Sequence, residues 1–413
     1  MSSEQSDIAD GIIQEKLPEH IAPPRTEFLP WHKVRKQYIR QHQWNVLTKR
    51  NINDAWRADL QKPSSTAGQG RSTMLVRKPL SCLVIPGNHL LDVRSMWTEI
   101  GPLDCFIRYL GFNEGQGSEE VGTDVHVANN AVTSLAGVVS DSQVMKDRFE
   151  AIVGNTIAYK NLQAYGPYHV VNLDLCGSMF PNTARSVEPY YSALNRLLTY
   201  QFEAQKLPWL LFITTMVEPT VVDKESMQKL CGPTGDNFAA HPDFLEKLKA
   251  LCPSAIPKDE KSGRVNIDGL SDEDLIRLFG VALGKWLLKL GQAASPKWTI
   301  AMRRSYRYSI NAEKGAVMLS LAFELTPNFA PPVDATGMSK LQVTQKQFPS
   351  ELTCAVKLAE SVANIADVDG KLSENSALKT LLLKEAADLL ESAGFDRDAY
   401  IKWVIDGELT TST

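Results

Sequence analysis

Between residues 80 and 217 the chain alternates short apolar runs with longer amphipathic ones, and this alternation restricts the fold more than any other feature. LSCLVIPGN (80–88) reads as a strand running into a turn, and HLLDVRSMWTEIG (89–101) as a helix closed by Gly101. CFIRYLGFNE (105–114) is a second strand ending in an acid, VHVANNAVTSLAG (125–137) a helix, and SQVM (142–145) a short strand with Asp147 just past it. A helix over 149–166, a strand over 168–178, a helix over 188–206 and a buried strand over 208–217 complete the series. Strands separated by helices are joined by crossovers, which produce a parallel sheet with helices on both faces. The predicted class is α/β, a Rossmann-like doubly wound sheet.

The flanks divide by composition. Residues 1–24 are acidic and polar and predict a flexible tail; residues 25–78 form a basic, aromatic-containing segment that includes a loop at 63–73. The α/β domain spans 79–326, with a glycine-rich loop running to Gly122 and a polar, mostly helical insertion at 218–270. A strong helix over 271–293 has Ser271 as its N-cap and Glu273 and Asp274 in its first turn. Strand-like runs at 297–310 and 315–325, joined by NAEK, predict a terminal antiparallel hairpin. A linker with Pro327, Pro331 and Pro332 leads to a helical C-terminal region within 327–413. There, DVDGKLSEN (367–375) has Gly370 at position 4 and Leu378 at position 12, the wrong register for a calcium loop, and reads as a helix–turn–helix connection.

Several classes are disfavoured. The six cysteines (Cys82, Cys105, Cys176, Cys231, Cys252, Cys354) form no CxxC pair and do not cluster with histidines, which argues against a zinc site and a disulfide framework. No metal is expected. Cys176 reads as a small site-shaping filler. The longest apolar run, near Leu207 to Met216, is too short to span a bilayer, and MSSEQSDIAD has no apolar core of a signal peptide. The expectation is a cytoplasmic protein with no membrane association.

The net charge of −4 hides a local contrast. Residues 25–78 hold twelve Lys/Arg against three acids, a local charge of +9, interleaved with Phe28, Trp31, Tyr38, Trp44 and Trp56. Cations for phosphates and rings for bases are what a nucleic-acid surface needs. Lys33, Arg35, Lys36, Arg40, Lys49 and Arg50 are the expected contacts, with Arg303, Arg304 and Arg307 on the hairpin as a second cluster. The alternative is that Trp31, Val34, Tyr38 and Trp44 pack on the sheet and leave the basic residues as a solvated outer face.

Five strand–helix steps and a closing hairpin, with Gly87 after the first strand, Glu114 ending the second and Asp174 within NLDLCGSMFPN (172–182), resemble the class I S-adenosylmethionine-dependent methyltransferases over about residues 78–326. The resemblance implies that Pro86, Gly87 and Asn88 face the amino-acid part of the cofactor. It implies that Glu114 takes the ribose and Asp147 the adenine, with Asp141 as the alternative acid. NLDLCGSMFPN resembles the motif of amino-group methyltransferases, which makes Asp174 and Ser178 the catalytic candidates and Asp174 the group that orients an exocyclic amine on a nucleic acid. Leu175-Cys176 replace the motif's Pro-Phe, and Gly87 alone stands for its glycine-rich turn. Those departures fit a second expectation: a methyltransferase-like scaffold without catalysis, a binding or assembly subunit of a bacterial nucleic-acid-processing or antiviral defence complex with a protein partner. No GxGxxG follows any strand, which disfavours a dinucleotide-dependent oxidoreductase.

Overall fold

The apolar runs carry bulky side chains on both strand faces, and only a sheet covered on both sides can bury them. The computed structural model describes residues 23–60, 78–114, 125–181, 190–238, 240–310, 317–329 and 348–409. The tail, the 63–73 loop, the glycine-rich loop, NAEK and most of the Pro-containing linker lie outside the described residues.

Residues 34–60 form one continuous helical rod. Helices α1 (Val34–Ile39), α2 (Val46–Asn51) and α3 (Arg57–Leu60) are joined by the π-helical turns Arg40–Asn45 and Ile52–Trp56. The alternating region follows as β1 (Leu80–Val84), α4 (Leu91–Ile100), β2 (Ile107–Phe112), α5 (Val125–Thr133), β3 (Gln143–Met145), α6 (Ile157–Tyr165), β4 (Val170–Asp174), α7 (Tyr190–Ala204) and β5 (Trp209–Met216). The insertion supplies α8 (Lys224–Gly235) and α9 (Pro242–Leu251), and α10 (Asp272–Ala293) follows. The Ser271 side chain accepts from Asp274 N, the expected cap.

Strands β6 (Lys297–Met302), β7 (Tyr306–Ser309) and β8 (Val317–Asn328) replace the simple hairpin. The C-terminal region is α11 (Glu351–Ala363), β9 (Ala366–Asp367), α12 (Val368–Glu374), α13 (Ser376–Glu391) and α14 (Arg397–Leu409).

The nine strands among the described residues form one mixed sheet in the order β3-β2-β1-β4-β5-β8-β7-β9, with β6 also on β8. Strands β1 to β5 are mutually parallel, and β8 is antiparallel to β5, β6 and β7. Side chains alternate between two cores. Leu83, Leu110, Leu173 and Leu211 join one with residues of α6 to α11; Val84, Tyr109, Leu210 and Phe212 join the other with residues of α1 to α5, α13 and α14. No helix among the described residues is long and apolar enough to cross a membrane.

Three local expectations change. The helix expected over 149–166 breaks into a 3-10 turn, Phe149–Ile152, and α6, because the backbone turns extended at Val153 and left-handed at Gly154, and Thr156 caps the second piece by accepting from Tyr159 N. The first hairpin strand breaks between Met302 and Tyr306, so β6 and β7 pair with different halves of β8. Pro327 lies inside β8, opposite Trp298, rather than in the linker. The calcium-loop lookalike is a helix start, where Asp367 accepts from Asp369 N and Gly370 N.

Candidate functional site

The site begins at the carboxyl end of β1. Pro86 packs against Gly111 of β2; a Cβ at Gly111 would lie 3.2 Å from Pro86 Cγ and 2.9 Å from Val144 Cγ2, so glycine is what lets the loop and β3 close in. Leu90 N donates to Gly87 O at 3.0 Å, and Leu90 adopts a left-handed φ of 51° before α4 begins. A Cβ at Gly87 would meet nothing within 4 Å, which leaves this backbone open. Asn113 Nδ2 ties the ends of β1 and β2 together, donating to Pro86 O at 2.9 Å and to Asn88 Oδ1 at 3.0 Å.

Above these ends lies a cavity of about 980 Å³. Pro86, Gly87, Asn88, Glu114, Asp147 and Asp174 all line it, so four strand ends deliver the sequence-predicted residues to one place. Glu114 pairs with Arg148 at 2.6 Å. Asp141, the alternative acid, lies outside the lining and forms a forked pair with Arg108. Ser178 is also outside it; its buried Oγ accepts from Phe180 N at 3.1 Å and shapes the turn after β4. Cys176 lines the cavity, and none of the six cysteines is in a disulfide.

Leu29 to Lys33, Arg35, Lys36 and Arg40 add to the wall, and here the nucleic-acid expectation for Lys36 and Arg40 needs correction. Lys36 and Arg40 are not on a solvated face. They are 6% and 5% exposed, and they pair with Asp174 and, at 2.8 Å, with Asp92. A buried cation with a carboxylate partner has no reach to a phosphate backbone. Arg35 pairs with Asp369, Lys49 with Glu99 and Arg50 with Asp54; the Lys33 ammonium lies 5.9 Å from the Trp403 ring centre. Of the hairpin arginines, Arg303 pairs with Glu324 and Arg307 with Glu273, while the Arg304 carbonyl accepts from Gln43 Nε2. The packing alternative holds for Val34, Tyr38 and Trp44, which are buried, and not for Trp31, which is 46% exposed. The i, i+4 series Lys36-Arg40-Trp44 was the legible sign of an additional buried face.

Electrostatics follow from this burial. Burial works against the Lys36 ammonium, but Asp174, Tyr308 and Asp92 more than offset it and hold its pKa above the usual lysine value. Burial raises the Asp174 carboxyl, and Lys36 pulls it back. Two lining histidines that sequence reasoning missed are neutral: burial, with His89 and Arg40 nearby, pushes His32 down to about 3, and burial, with Arg25 and Arg94, pushes His89 down to about 4. Arg25 also joins the site to the C-terminal helices, reaching His89 Nδ1 at 3.3 Å and donating to Ala393 O at 2.9 Å. Among the described residues no cluster of His, Cys, Asp and Glu suits a metal ion.

A family model described as PP_RS20740-like matches residues 25–405, and that range includes the whole of the site. No curated protein and no solved structure matches the chain.

Proposed function

We propose that this chain, which belongs to the PP_RS20740-like family, is an S-adenosylmethionine-dependent methyltransferase with a Rossmann-like core. One observation carries the reading: the cavity gathers Gly87, Glu114, Asp147 and Asp174 from successive strand ends, at the point where strand order reverses between β1 and β4. Open α/β sheets bind ligands at such a switch point. The antiparallel β8 inserted beside β5 agrees with the same family layout.

The residues present suit the cofactor. Gly87 and Asn88 offer open backbone ahead of α4 for its amino-acid part. Arg40 uses its Nε–H on Asp92 and has four further guanidinium N–H donors for a carboxylate. Glu114 supplies the acceptor that a ribose diol needs, and Asp147, in the same lining, would read the adenine. When bound, the cofactor supplies an electrophilic methyl group. The chain's own contribution is to position the acceptor and exclude water, for which effective molarities are large. At about 980 Å³ the cavity is near the upper end of small-molecule sites, with room for an acceptor beside the cofactor. The ion pairing of the basic segment favours an acceptor that enters this cavity over a nucleic-acid backbone bound outside it.

Calorimetric titration with S-adenosylhomocysteine tests the reading. Micromolar binding that Glu114→Ala abolishes supports it; no binding by folded protein overturns it. The latter outcome would favour the non-catalytic scaffold, a reading to which the internal Lys36–Asp174 pair lends some weight because it neutralises the carboxylate expected to hold an amine.

A further inference from the structure

Cofactor binding leaves one part of the cavity wall unexplained. At the end of β4, Lys36 donates to Asp174 and, at 3.5 Å, to the Tyr308 hydroxyl oxygen. The Trp44 ring centre lies 4.8 Å from the same ammonium. Lys36 and Tyr308 are only 6% and 7% exposed, and both line the cavity.

The donor inventory here is unbalanced. An ammonium has three N–H groups, and a phenol that accepts through its oxygen still has its own O–H to give. Among the described residues the Lys36 ammonium has two hydrogen-bond acceptors, and none is found for the Tyr308 proton. One N–H and one O–H, on atoms 3.5 Å apart, therefore remain for a ligand. Buried donors without acceptors are costly, and an ionised oxygen is the acceptor that satisfies two at once most strongly.

We propose that Lys36 and Tyr308 form an oxyanion subsite that holds the methyl acceptor through a carboxylate or phenolate oxygen. The proposal rests on the methyltransferase reading and replaces the exocyclic amine expected from the sequence. An amine here would have only the Asp174 carboxylate, already bonded to Lys36, to accept its N–H groups, and a protonated one would face the Lys36 ammonium. Asp174 is then a positioning residue, which fixes Lys36. In the transfer, a lone pair on the acceptor oxygen forms the new O–CH₃ bond. With the cofactor bound, the S–CH₃ bond would break and its electron pair would stay on sulfur as a neutral thioether. The acceptor arrives already ionised, so no proton has to leave and no general base is required.

The test is a binding measurement, independent of turnover. Wild-type protein saturated with S-adenosylhomocysteine is titrated with benzoate, 4-nitrophenolate and benzylamine. The expected result is binding of at least one anion and none of benzylamine. Lys36→Met with Asp174→Asn, which removes both charges together and keeps their shapes, should weaken that anion at least tenfold while S-adenosylhomocysteine affinity is retained. Tyr308→Phe should weaken it several-fold, and Lys36→Arg should preserve it. Binding of benzylamine in place of the anions, binding of none of the three, or anion affinity unchanged in the double variant would each overturn the subsite. If the wild type binds an anion through Lys36 but takes up no S-adenosylhomocysteine, the methyltransferase reading fails, the acceptor role fails with it, and only an anion pocket is left.

Discussion

Lys36 and Asp174, 138 residues apart in sequence, form an ion pair inside the protein, with side chains 7% and 15% exposed. It fastens the N-terminal helical rod across the strand ends. Breaking such a pair on one side leaves an uncompensated buried charge, whereas removing both charges is often neutral. Lys36→Met alone should cost about 3–5 kcal/mol of stability. Adding Asp174→Asn should restore most of it. Urea unfolding of the two variants checks this; equal losses would mean that packing, not charge, fastens the rod.

Glu114 should separate ligand binding from stability. It is about one-third exposed, as is Arg148, with which it pairs. Glu114→Ala is expected to leave the melting temperature near wild type and weaken S-adenosylhomocysteine more than tenfold. A variant that melts early would assign Glu114 to the fold instead.

Acid should destabilise the protein through three buried histidines. His32 is held down at about 3, His89 at about 4 and His169 at about 4, each chiefly by burial. The unfolded chain takes up these protons near the ordinary value of about 6.5, so between about pH 6.5 and 4 it binds more protons than the folded chain. Stability is therefore present above about pH 6.5 and falls as the pH drops toward the folded values, by ~1.4 kcal/mol per pH unit for each histidine. His169 Nδ1 accepts from Ser81 N at 3.1 Å, which fixes the neutral tautomer. His169→Gln should flatten the stability–pH slope below pH 6 by one proton's worth; an unchanged slope would locate the acid sensitivity elsewhere.

Gly111→Ala probes the link between the sheet and the site. Its methyl would meet Val144 and Pro86 inside van der Waals distance. Overpacking of this kind costs ~1–3 kcal/mol, and here the group displaced is the loop that carries Gly87. Weaker S-adenosylhomocysteine binding should accompany the lower stability. Loss of stability with unchanged affinity would show that the loop moves independently of Gly111.

The amino-acid sequence alone determined the strand–helix alternation, the positions of Glu114 and Asp174 at strand ends and the Ser271 cap, because these depend on side-chain periodicity and short-range hydrogen bonds over a few residues. Pro86, Gly87, Asn88 and Asp147 were legible for the same reason, as residues just past apolar runs. Tertiary structure decided which of these share one cavity and which, like Ser178 and Asp141, do not. It also decided the fate of the basic segment. A run of lysines and arginines looks the same in sequence whether it faces solvent or acids; Lys36 and Arg40 became interior groups only because the rod folds onto strands that bring Asp174 and Asp92 to meet them. Long-range pairing of charge carries no local periodicity, so only the folded chain reveals it.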